Sequence, residues 1–173
     1  TQQAASPDFN HPITGDHTFI IEIRNGRPFS ADMNVTNTFS KLVTRTNGGG
    51  QFIVANVSGS LGNGDVEFVS LNGKTAQLRI KNSDTIKDDA NLLYNGGGPQ
   101  GDGKNKIRLD ADETIGGLFF DGIQLPGGTY GAPGSGVNNE VNWIHPDSTG
   151  ILTVTSVPAS FWDLDGTTAG AGG

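Results

Sequence analysis

Asn72–Lys81 reads NGKTAQLRIK. The Asn-Gly pair supplies the positive-φ residues that a tight turn requires. Behind it Ala76, Leu78 and Ile80 alternate with Gln77, Arg79 and Lys81. A period of two puts the apolar residues on one face of a strand and the polar ones on the other. The same grammar extends outward in both directions. Further Asn-Gly pairs stand at Asn25, Asn47, Asn63 and Asn95. Lys106–Asp110 (KIRLD) alternates with Ile107 and Leu109 inward, and Ile151–Val157 sets Leu152 and Val154 against threonines. Phe19–Ile23, Phe52–Val57 and Leu118–Phe120 are apolar on both faces, which suits strands covered on both sides.

The pattern predicts an all-β chain. Ser83–Leu93 comes nearest to a helix, with Ser83 or Asp84 as cap and Ile86, Ala90 and Leu93 on one side. A turn leading into a strand at Leu92–Tyr94 is the preferred reading there. Two architectures remain open. Asn-Gly hairpins suit an antiparallel β-sandwich of about eight to ten strands. Irregular spacing and two-faced apolar strands suit a right-handed parallel β-helix, or solenoid, and this is the favoured reading. No internal repeat of fixed period stands out. The expected organisation is an N-terminal arm or cap over residues 1–17, one all-β domain over 18–157, and a Gly-rich tail over 158–173.

Only 34% of the 173 residues are hydrophobic and 27 are glycine, yet the apolar residues are patterned, which argues for ordered, turn-rich structure. The net charge is −7, so nucleic acid and anionic membranes are poor partners, while neutral polysaccharide and calcium are compatible. The absence of cysteine excludes disulfides, zinc–thiolate sites and a cysteine nucleophile. No run approaches the ~18 apolar residues of a membrane span, so insertion is not expected.

Four motifs follow one another in order: Ser58–Val69 (SGSLGNGDVEFV), Asp110–Gly122 (DADETIGGLFFDG), the GTYGAPGSG loop from Gly128, and the STGILTVTS close from Ser148. The order resembles the C-terminal part of one unit in bacterial proteins with autotransporter-associated β-strand repeats. WDLDGTTAGAGG from Trp162 resembles the start of a following unit. The resemblance covers about residues 56 to 173. It implies a secreted or cell-surface location, a β-helical stalk, no enzymatic activity, and neighbouring repeat units or copies of the chain as partners. Asn142-Trp-Ile-His-Pro146 departs from it, standing where the family has a plainer polar turn.

Candidate site residues follow from chemistry. Trp143, Tyr130 and Tyr94 offer flat rings that could stack on sugars, with Asn142 beside Trp143 to bond hydroxyls; this is the alternative reading, a module binding plant-type polysaccharide. Asp110, Asp112 and Glu113 place carboxylates close in sequence, a set that suits calcium, although no cofactor is required. Asp84, Asp88, Asp89 and Asp102 add acidity nearby. His11, His17 and His145 read as surface residues. No catalytic residue is assigned: Gly-x-Ser-x-Gly, HExxH and phosphate-loop patterns are missing. Lys104, Lys106, Arg108 and Asp110 could be cast as the base and neutralising cations of a polysaccharide lyase, the least favoured reading. Asn34-Val-Thr36 and Asn56-Val-Ser58 fit the glycosylation sequon, which means little in a bacterial protein.

Overall fold

The computed structural model describes residues 7–23, 29–46, 51–70, 76–96 and 107–156. Every regular element among them is a strand. The strands are β1 (Asp8–Phe9), β2 (Thr18–Ile23), β3 (Phe29–Met33), β4 (Lys41–Thr46), β5 (Gln51–Ala55), β6 (Val66–Ser70), β7 (Ala76–Ile80), β8 (Asn91–Asn95), β9 (Ile107–Leu109), β10 (Glu113–Ile115), β11 (Gly117–Phe120), β12 (Ile123–Gln124), β13 (Gly128–Gly131), β14 (Asn139–Glu140) and β15 (Leu152–Val154).

The chain coils. Odd-numbered strands β1, β3, β5, β7 and β9 form one parallel sheet, and β2, β4, β6, β8 and β11 form a second, with β12 antiparallel at its edge. This is the parallel β-solenoid, and the sandwich alternative falls away. Register partners Phe9, Met33, Ala55, Ile80 and Leu109 lie 24, 22, 25 and 29 residues apart. That drift hides the repeat from a search for a fixed period. Residues 83–90 are turns and bends leading into β8, as the preferred reading of that segment had it. Within the segment expected as an N-terminal arm or cap, Asp8 and Phe9 pair with Asp32 and Met33.

Alternation explains which side of each strand faces the coil. In β6 and β7 the burial pattern is strictly in and out, with Val66, Phe68, Ala76, Leu78 and Ile80 fully buried. Stacked rungs place like side chains above one another. Ala31, Ile53, Leu78 and Ile107 form one inward column. Thr44, Phe68, Tyr94 and Phe120 form another. Phe68 and Tyr94 stack at 4.9 Å between centroids, Tyr94 and Phe120 at 5.5 Å. Each such pair adds about 0.5–1.5 kcal/mol beyond the area it buries.

One end of the coil is closed. Residues after β11 turn back as β12, and β13, β15 and β10 form a small sheet with β14 at its edge. The Trp143–His145 segment covers β9, the last strand of the first sheet: Ile107 N–H donates to the Trp143 carbonyl and His145 N–H to the Ile107 carbonyl. Residues 157–173, which include the expected tail, lie outside the described residues.

Candidate functional site

The outer face of the odd-numbered sheet carries a cluster of charged side chains. Arg79 and Arg108 are register partners and point outward, as their places in β7 and β9 require. Asp110, just beyond β9, lies between them. Its Oδ2 accepts from Arg79 Nε at 2.7 Å and meets Arg79 Nη2 at 2.6 Å, while Oδ1 accepts from Arg108 Nε at 3.0 Å. Arg108 Nη1 continues to Asp147 at 3.4 Å. The Asp147 N–H donates to His145 Nδ1 at 3.1 Å. A cleft of about 90 Å³ beside the cluster is lined by Phe52, Gln77, Arg79, Arg108 and His145.

Partial burial works to raise the Asp110 pKa, but the hydrogen bonds and charges of Arg79 and Arg108 outweigh it and hold the carboxyl below the usual range. A carboxylate held by two guanidiniums is a poor proton acceptor. The lyase casting therefore loses its base at Asp110, and Lys104 and Lys106 lie outside the described residues.

The three carboxylates read as a calcium set do not converge. Asp110 is held by the arginines. Asp112 is exposed and accepts the Ile151 N–H at 2.8 Å. Glu113 turns into the interior, where it is 2% exposed and accepts from Thr85 N–H at 3.0 Å, Thr85 Oγ1 at 2.7 Å and Ile86 N–H at 3.3 Å. Asp84, with φ of 56°, brings those two amides to one point. Burial pushes the Glu113 pKa up to about 7, its three hydrogen bonds resist, and the Asp84 charge adds to the rise. Among the described residues no three His, Asp or Glu side chains group as a metal site.

The aromatic candidates are in the core, which corrects the sugar-platform reading of those rings. Tyr94 is 1% exposed, Tyr130 4% and Trp143 8%. Trp143 sits edge-on to Phe120 at 5.3 Å and beside Tyr130 at 5.6 Å, so it caps the Phe68–Tyr94–Phe120 stack. Tyr130 donates its hydroxyl to the Pro126 carbonyl at 2.6 Å. Tyr94 has a buried hydroxyl with no hydrogen-bond partner, and burial raises its pKa. Asn142 is exposed next to Trp143 but has no open ring beside it. The physical reason is the closing segment: the bridge between Ile107 and Ile144 draws Trp143 over the end of the coil.

Two features escaped the sequence reading. The first is an asparagine ladder: Asn34 Nδ2 donates to Asn10 Oδ1 at 2.9 Å, and Asn56 Nδ2 to Asn34 Oδ1 at 2.6 Å. The two sequons are thus ladder positions. The second is the use of acidic side chains as acceptors for main-chain amides. Asp65 accepts from Asn91 N–H, Asp121 from Gly96 N–H, and Glu140 from Gly134 and Gly136 N–H. Asp112 and Glu113 do the same, so much of the acidity fastens turns and rungs.

An open groove of about 480 Å³ runs between the turns at 58–63 and 84–89, bordered by Asn63, Asp84, Ile86, Lys87, Asp88 and Asp89. Lys87 and Asp89 pair across 3.4 Å at its rim, both side chains mostly exposed. Compared with protein-family models, with curated proteins and with solved structures, the chain matches none.

Proposed function

We propose that this chain is a non-catalytic structural or adhesive module of an extracellular or cell-surface bacterial protein, akin to the autotransporter-associated repeat proteins its motifs resemble. The observation that carries the reading is the assignment of its chemistry-bearing side chains. Asp110, Asp112, Glu113, Trp143, Tyr130 and the asparagine column each join one part of the coil to another. A coil held this way is a stiff rod, and its work is done by shape.

Polysaccharide binding is the second reading, and the groove at Asn63 and Asp84–Asp89 favours it, because amides, carboxylates and an ammonium border an open trough that could take hydroxyls. Incubation with pectin, alginate and xylan is expected to release neither reducing ends nor unsaturated sugars. Turnover that Asp110→Ala abolishes in a folded protein would overturn the non-catalytic reading. Retardation in a polysaccharide gel, lost in Lys87→Ala, would favour the groove.

A further inference from the structure

We propose that the N-terminal end of the coil is a self-association surface, on which a second copy of the chain docks head to head along β2. The two ends of the coil differ. At the C-terminal end the growing edges are taken. β9 is covered by Trp143–His145, β10 by β15, and β11 by β12. What remains there beside β11 is β12, two residues long and followed closely by Pro126, an edge too short to template a strand.

At the N-terminal end the outermost strands are β1 and β2. β1 is blunted: it has two residues, Asp8 among them, and Pro7 precedes it without an N–H. β2 is not blunted. It has six residues and no outer partner among the described residues. Its Ile20 is 47% exposed, one of two large apolar side chains so placed among the described residues; Ile123 on β12 is the other.

Head-to-tail addition would have to lay β2 on the two-residue β12. Two copies can pair β2 with β2 about a two-fold axis, and this contact uses up both open edges, so the assembly closes at two. Side chains fix the register. Residues opposite one another must share a face, and centring on Glu22 would set two carboxylates together. Centring on Ile20 brings Ile20 against Ile20, Thr18 against Glu22, and Phe19 against Ile21, which hides the exposed side chain and keeps the two carboxylates apart. The inference rests on the fold and is independent of the proposed role.

Light scattering coupled to gel filtration tests it on the whole chain of 18.0 kDa. Masses of one and two chains, shifting toward two with concentration and never beyond, are expected. Ile20→Lys should remain monomeric with unchanged circular dichroism, and Ile123→Lys should dimerise like the parent. The chain has no cysteine, so Ile20→Cys should oxidise to a disulfide dimer far faster than Ile123→Cys. A monomer at every concentration, a ladder of masses above two, or equal oxidation of the two cysteine variants would overturn the proposal.

Discussion

Glu113 shows how one side chain ties rungs together at a cost. It reaches from β10 to the turn of the preceding rung, and the burial that makes this a tight contact also penalises its charge. Between its ordinary value of 4.5 and about 7 the unfolded chain releases this proton while the fold retains it. Its contribution is therefore most favourable below the lower value and declines as pH rises through the window. The gap corresponds to about 3 kcal/mol. Asp110 and Glu67 act in the opposite sense, because their lowered values make stability fall only in stronger acid. Glu113→Gln keeps one acceptor oxygen, enough for the two Thr85 bonds, and carries no charge. Thermal unfolding followed from about pH 5 to pH 8 is expected to show the parent losing stability with rising pH and the variant losing much less. Parallel slopes would remove Glu113 as the cause. The sequence showed the Glu113 carboxylate but not its direction: a short strand offers two faces, and only the stacked rung beneath says which one is inside.

The strand is the unit at which the sequence was most legible. Alternation in Thr75–Lys81 and Ile151–Val157 placed Leu78, Ile80, Leu152 and Val154 inward, and all four are buried. The rung was harder to see. Asn-Gly pairs at Asn25, Asn47 and Asn72 come just after strands of the even-numbered sheet and Asn95 is the last residue of another, while register partners drift between 22 and 29 residues apart. Hairpin chemistry was the competing explanation, and the pair at Asn63, within a rung, blurred the spacing further. Asn10, Asn34 and Asn56 carried the clearest unread signal, each closing a strand of the odd-numbered sheet. Asn34 makes two ladder bonds and Asn10 one. At about 1 kcal/mol net per bond, Asn34→Ala should cost about 2 kcal/mol in urea unfolding and Asn10→Ala about half as much. Equal costs would mean the ladder is not their origin.

At the scale of the whole molecule the coil is asymmetric, with an interior aromatic stack that is finished at one end by Trp143 and Tyr130. That asymmetry is what the sequence could not convey. Asn142, Trp143 and His145 look like a ligand loop when read locally, because polar neighbours surround a large ring. The fold turns the ring inward, since the last exposed strand edge and the last ring face both need covering at the same place. Trp143 is therefore a closing element whose loss opens a cavity against Phe120 and Tyr130. The most direct test is Trp143→Ala, compared with the parent by chemical unfolding and by migration through polysaccharide gels. A loss of about 3–5 kcal/mol with unchanged migration of the folded fraction is the expected result. Unchanged stability together with lost retention on a polysaccharide would contradict the account and return Trp143 to a binding surface.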